Sequence, residues 1–241
     1  MELSLRCLGS EEPQTPGHTS FLGGKPKLPA DEPLPTCRRC GSVQTFFFQV
    51  AFPSGHDWAG QTLAVFQCTG CFDPENSTPI ISRKLFPQLS TDYQEPGADI
   101  PEGVLEAVQL ACRFPVFPTD QGVVRDDYVV KVAFVPLGFD RLADGKATAK
   151  SKVGGEPGWI WTDMAPGWYL GRPLTFLMQW QRGHLFKTVP GAPLPAIAVD
   201  PDFPNNPVEL DYYELFHSYQ LYFFGNDAGG SHHVMMVTQW T

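Results

Sequence analysis

The chain has 241 residues, enough for one large domain or two small ones with a real core. Hydrophobic residues make up 42% and charged residues 18%, which excludes a disordered chain. With 17 Lys and Arg against 26 Asp and Glu the formal charge is −9, which argues against nucleic-acid or anionic-membrane binding, because both need clustered cations.

Residues 1–19 are polar and rich in turn residues, and are expected to form a flexible arm. The first twelve residues hold no apolar leader. No apolar run approaches the roughly 20 residues of a membrane span, so a cytoplasmic protein without membrane contact is expected. Gly 23 and Pro 24 disfavour long helices over most of the chain. Residues 44–52 (QTFFFQVAF) and 61–67 (QTLAVFQ) predict two strands, joined by a Pro, Ser, Gly, His and Asp segment as a long-looped hairpin. Residues 101–113 predict the best helix. Pro101 suits its first turn, and Val104, Leu105, Val108 and Cys112 draw one apolar stripe, with Cys112 as a small buried hydrophobe. Residues 127–135 predict another strand, bounded by Pro136 and Gly138. Residues 142–152 read as a linker, and 174–180, 219–224 and 234–240 read as strands. Many strands, few helices and no βαβ alternation predict an α+β fold of mainly antiparallel sheet.

The sequence repeats itself. Gly23-Gly24-x-Pro26 recurs as Gly154-Gly155-x-Pro157 at an offset of 131, and Thr45–Gln49 recurs as Thr175–Gln179 at an offset of 130. An internal duplication follows, with two pseudo-symmetric β-rich units at 20–141 and 142–241 joined in one globular domain. The glycine pair permits a turn that a Cβ would forbid. No Lys-Ser/Thr and no helix start follow it, so it is not read as a phosphate loop.

Cys37-x-x-Cys40 and Cys68-x-x-Cys71 carry the strongest chemical signal. Two such pairs, 27 residues apart, form a frequent Zn²⁺ framework of four thiolates. Cys40 precedes the first strand of the predicted hairpin and Cys68 follows the second, so antiparallel pairing brings both pairs to one end. A zinc knuckle with Cys37, Cys40, Cys68 and Cys71 as ligands of a structural Zn²⁺ is expected, with unmetallated thiols, a redox pair and an iron–sulfur cluster as alternatives. The second unit aligns Gly167, Leu170, Asn226 and Gly229 with those cysteines, so it must close its own hairpin by other means.

Other candidates are weaker. None of His18, His56, His184, His217, His232 and His233 falls in a ligand motif, and His232-His233 reads as surface. Trp159, Trp161, Trp168 and Trp180 read as core or hairpin residues ahead of a ligand platform. The connection 183–210 is 28 residues longer than its counterpart and rich in proline. It is expected to contact a partner or to cover a groove between the units.

Gly23-Gly24-x-Pro26, Thr45–Gln49 and Asn226-Asp227-Ala-Gly229 resemble the YwqG-like family of uncharacterised, mainly bacterial proteins. Ser151-Lys-Val-Gly154-Gly155-x-Pro157-x-Trp159, Gly171-Arg-Pro-Leu-Thr175-Phe-Leu-x-Gln179 and Cys37-x-x-Cys40-Gly41 with Gln49-Val50 resemble the N-terminal part of the programmed cell death protein 2 family. These resemblances imply a duplicated α+β fold. The second family implies a zinc-containing adaptor that chaperones a ribosomal protein, and a basic client suits a charge of −9. The expected function is a non-enzymatic, zinc-stabilised protein-binding module whose partner docks between the two units. The alternatives are an enzyme that uses His184, His217, Asp227 and His232 in that groove, and a small-ligand sensor built on the tryptophans.

Overall fold

The computed structural model describes residues 2–9, 13–70, 97, 99–100, 105, 109, 112–141, 150–161, 163–193, 212–215 and 219–239. Among these, strands dominate. The first half holds β1 (Glu2–Cys7), β2 (Phe21–Leu22), β3 (Lys27–Leu28), β4 (Thr45–Ala51), β5 (Gln61–Gln67), β6 (Cys112–Arg113), β7 (Val116–Pro118), β8 (Val123–Val124) and β9 (Val135–Arg141). The second holds β10 (Lys152–Gly154), β11 (Trp168–Tyr169), β12 (Arg172–Pro173), β13 (Thr175–Trp180), β14 (Leu185–Lys187), β15 (Tyr212–Glu214), β16 (Gln220–Asn226) and β17 (His233–Gln239). Helix among the described residues is limited to two 3₁₀ turns and the position of Leu105. The chain is therefore mainly antiparallel β with almost no helix among those residues.

One eleven-stranded sheet runs β17-β16-β13-β10-β1-β9-β2-β4-β5-β6, with β7 also paired to β5. It is curled. Five strand spacings separate β4 from β13, about 24 Å if the sheet were flat. Yet the Phe48 ring stacks on Trp180 at 4.5 Å, and Phe48 meets Phe223 edge-on at 6.2 Å. The two ends of the sheet thus fold over a shared core. Phe47, Phe48, Val50, Leu63 and Val65 of the first half meet Leu177, Met178, Trp180, Leu221 and Phe223 of the second there. Each phenylalanine so buried contributes roughly 2–3 kcal/mol.

A bulge explains the three consecutive phenylalanines. Strict alternation would send Phe46 and Phe48 to one face and Phe47 to the other. The pairing of β4 with β5 instead shifts between Phe46 and Phe48. Phe46 therefore turns outward, onto Phe21, Phe66 and Tyr128, while Phe47 and Phe48 both turn inward. The Phe46 N–H donates to the Tyr128 hydroxyl at 2.8 Å. The pairing of β13 with β16 shifts at the matching place, between Phe176 and Met178, with Leu177 and Met178 inward.

Further pairs of contacts match across the halves. Gln49 Oε1 accepts from Lys27 N at 2.9 Å and its Nε2 donates to Thr19 O at 3.0 Å. Gln179 Oε1 accepts from Gly158 N and its Nε2 donates to Lys150 O, both at 2.8 Å. Ala51 N donates to Ser20 Oγ at 2.9 Å, and Gln181 N to Ser151 Oγ at 3.0 Å. Gly23 and Gly24 have φ of +51° and +68°, and Gly154 and Gly155 both have +71°. A Cβ on Gly23 would lie 2.2 Å from the Ala133 carbonyl oxygen, so that turn requires glycine.

Three expectations are corrected. Residues 2–7, placed in the flexible arm, form β1, which pairs with β9 on one side and β10 on the other and so joins the halves. Its alternating ELSLRC pattern sends Leu5 into the core, and Glu2 pairs with the buried Lys152 ammonium. Residues 127–134 form no strand beyond an isolated bridge between Val132 and Thr188, and β9 starts only at Val135. Backbone groups of that stretch serve Gly24 and the β14 segment, through Val132 O, Ala133 N and Lys131 O, and pairing begins at Val135. Cys112 does not end a helix but lies in β6 opposite Gln67, buried as expected. The Gln109 N–H donates to Leu105 O at 3.1 Å, and the remainder of 101–111 lies outside the described residues.

Each half also clasps the other. The 53–60 turn carries His56 onto Leu177, where Nε2 meets the carbonyl at 3.1 Å. In return β14 and β15 pair, and place Phe186 and Tyr213 against Phe47. The described ends of the proline-rich connection are thus core-forming, while residues 194–211 lie outside the described residues.

Candidate metal centre

β4 begins at Thr45 and β5 ends at Gln67, and these two residues are paired. The chain on either side of that pair carries the cysteines. Before β4, Thr36 and Val43 form an antiparallel bridge that closes a tight turn. Within the turn, Cys37 N donates to Ser42 O at 2.9 Å and Gly41 N to Cys37 O at 2.8 Å. Gly41 sits at φ +74°, a conformation that favours glycine. After β5, Cys68 comes up beside the turn.

The sulfurs of Cys37, Cys40 and Cys68 all lie within 4.8 Å of one another. Cys40 and Cys68 are 3.6 Å apart. A disulfide would hold them at about 2.05 Å. Four thiolates around a tetrahedral ion with bonds of about 2.3 Å stand about 3.8 Å apart, which matches. Cys37 and Cys68 are buried and Cys40 is exposed, so the centre lies at the rim. These three residues could hold a metal ion. Cys71, the fourth expected ligand, lies outside the described residues. Cys112 is not a member of the cluster. Its thiol is pushed up to about 12, chiefly by burial and further by Cys37, and so stays protonated.

Sequence reasoning missed the polar surroundings. Lys131 is half-buried beside the centre, and its Nζ donates to Val43 O at 3.1 Å and to Thr45 Oγ1 at 3.4 Å. Burial lowers its pKa, while Cys68 and Cys40 pull it back up. The Thr45 and Thr69 hydroxyls are 2.7 Å apart. Thr69 also bonds the Tyr213 hydroxyl, which donates to Pro193 O. A polar chain thus runs from the cysteine-bearing mouth to the β14–β15 connection of the other half. Its one visible signal in sequence is a lysine inside the apolar run YVVKVAFV.

The remaining candidates are dispersed. The His184 ring stands edge-on to Trp180 at 5.2 Å and to Phe186 at 4.7 Å, and burial lowers its pKa. Asp227 is paired with Arg172 at 2.6 Å, His232 lies exposed against Trp58 at 4.9 Å, and His217 falls outside the described residues. The seam between the halves is filled by the shared core. At its edge an apolar depression of about 370 Å³ remains, lined by Cys7, Leu22, Val135, His184 and Phe186. The tryptophans divide: Trp180 is core, Trp159 lies on Tyr222 at 4.4 Å, and Trp161 and Trp168 are 70% and 49% exposed. Among the described residues no helix is long and apolar enough to cross a membrane. The chain matches no family model, no curated protein and no solved structure.

Proposed function

We propose that the chain is a non-enzymatic, zinc-stabilised protein-binding module of the cytoplasm, an adaptor or chaperone for a basic client protein. Cys37, Cys40, Cys68 and Cys71 are the four ligands of its structural Zn²⁺. The spacing of the Cys37, Cys40 and Cys68 sulfurs supports three of these ligands, and the second C-x-x-C pair supplies Cys71 as the fourth. A closed centre of four thiolates leaves no open position for a substrate, so it acts as a staple for the hairpin. Internal duplication of one β-rich unit accounts for the paired bulges, glutamines, serines and glycine turns. The resemblance to the programmed cell death protein 2 family supports the adaptor role.

One observation carries the binding reading. The β11–β12 hairpin ends in Leu170, 43% exposed and held at φ +51°, beside the exposed Trp168. A two-residue turn with both central residues at positive φ takes Asn-Gly for preference. A leucine there costs about 1–2 kcal/mol and still leaves much of its side chain exposed. An apolar tip kept at that cost, on a chain of charge −9, fits a surface that grips a basic partner through apolar contacts.

The test is capture from a native lysate by the full chain and by a Trp168→Ser/Leu170→Gly variant. Leu170→Gly relieves the backbone, so the variant should melt no lower than the parent. The parent should retain a basic protein that salt releases, and the variant should retain at least about tenfold less, the yield of one lost apolar anchor. Equal capture by both chains, or no basic protein on the parent, overturns the binding reading.

A further inference from the structure

Among the described residues no carboxylate pairs with the half-buried Lys131. Taking an ammonium out of water is unfavourable unless an opposite charge is close. The ion pairs among the described residues are Arg6–Asp140, Lys25–Asp126, Arg125–Asp127, Lys152–Glu2 and Arg172–Asp227, and Lys131 is in none of them. Its two acceptors, the Val43 carbonyl and the Thr45 hydroxyl, are neutral. Both lie on the cysteine-bearing mouth. Val43 is three residues beyond Cys40. Thr45 shares its hydroxyl with Thr69, the residue after Cys68. The ammonium is therefore anchored on the arm that carries Cys37 and Cys40, and reaches the Cys68 arm through the Thr45 hydroxyl.

We infer that Lys131 is the outer-sphere counter-ion of the metal–thiolate centre, positioned by Val43 and Thr45 to offset its negative charge. The inference rests on the zinc reading above. Four thiolates around a divalent cation leave a net charge of 2−, which a fixed cation at the rim offsets. Lys131 is a positioning residue: it acts on the ion through the sulfurs. The same cation is a liability without the metal, because neutral thiols leave it uncompensated. Its contribution to stability therefore changes sign with metal occupancy.

The experiment uses full-length protein, titrated with Co²⁺ against a competing chelator and followed by sulfur-to-cobalt charge-transfer absorption. Lys131→Met and Lys131→Gln should each weaken affinity by about 10- to 100-fold, the usual scale for an outer-shell partner. Lys131→Arg should restore most of it, and Lys25→Met, at an exposed pair far along the chain, should leave it unchanged. Melting supplies the second measurement. The Met and Gln variants should melt below the parent when loaded with metal, and at or above it when metal-free. No charge-transfer band in the parent overturns the zinc reading itself. A normal band with unchanged affinity in the Met and Gln variants overturns the role of Lys131 alone. Equal losses in Arg, Met and Gln overturn it as well, because they indicate shape in place of charge. If Lys131→Met does not fold, the comparison of Gln with Arg decides.

Discussion

At the open end of β4 and β5 three sulfurs meet, whereas at the matching end of β13 and β16 one amide side chain does the tying. Asn226, in the last position of β16, donates from Nδ2 to Tyr169 O at 2.9 Å and to Arg172 O at 3.1 Å. Its Oδ1 accepts from Ala228 N at 3.3 Å. The Arg172 guanidinium then pairs with Asp227 at 2.6 Å. Gly41 in the first mouth and Gly171 in the second occupy the same left-handed conformation, at +74° and +72°. The geometry is shared, but the closures differ in what they depend on. Hydrogen bonds from Asn226 form whenever the chain folds. A thiol cluster holds only while an ion is bound and the sulfurs stay reduced. On the proposed zinc reading, the first mouth is therefore conditional on its surroundings, and the second is not.

The largest effect should come from removing the ion. With free zinc held at a thousand times the dissociation constant, binding to the folded chain alone adds about 4 kcal/mol. A strong chelator should lower the melting temperature of the parent and leave that of Cys68→Ser, already low, unmoved. A calorimetric scan with and without chelator measures both. Equal response of the two chains would mean that the first mouth is held by its strands, and the contrast between the mouths would disappear.

The middle effect belongs to the second mouth. Asn226→Ala leaves the carbonyls of Tyr169 and Arg172 without their buried donor, at a cost of about 2–3 kcal/mol. Urea unfolding should show that loss with the same size in metal-loaded and metal-free protein. A loss that depended on metal would join the two mouths into one cooperative device and break the distinction drawn between them.

How far these features are legible in the sequence varies with their physics. Long strands buried on both faces announce themselves as apolar runs, and β5 is read to the residue. The cysteine pairs are legible because a metal demands fixed ligand types at fixed spacing. Asn226 is legible by alignment with Cys68 and as the start of the turn motif Asn226-Asp227-Ala-Gly229, but its role as a donor to two carbonyls is not. β1 is misread because six residues with two leucines resemble a tail until β9 and β10 are present on either side. Residues 127–135 mislead in the opposite direction, since their β-branched composition promises a strand. Tyr128 is instead used to cap the bulge at Phe46, and Val132 to receive Gly24. Lys131 shows in the sequence only as a lysine inside an apolar run, because the neutral acceptors that hold it, Val43 O and Thr45 Oγ1, are brought to it by the fold.

The smallest effect sharpens the comparison at the clasps. The clasp made by the first half depends on His56, whereas the reciprocal one places Phe186 and Tyr213 on Phe47. His56 Nδ1 accepts the Trp58 N–H at 3.0 Å, so the ring is neutral and Nε2 is the donor to Leu177 O. Burial lowers its pKa, against the opposing pull of the Leu177 carbonyl and of Asp57, with the N-terminal charge lowering it slightly further. His232 also lies at this clasp, through its ring contact with Trp58. A histidine kept neutral on folding is protonated first in the unfolded chain, near pH 6.5. Its contribution is complete above that value and is lost as pH falls below it. His184, also lowered by burial, adds to the slope in the same sense. Urea midpoints of chelator-treated protein should therefore drop between pH 7.5 and 5.5. His56→Gln, which keeps a neutral donor and acceptor, should reduce that drop without abolishing it. An unchanged slope in His56→Gln would mean that His56 does not make the first clasp sensitive to protons.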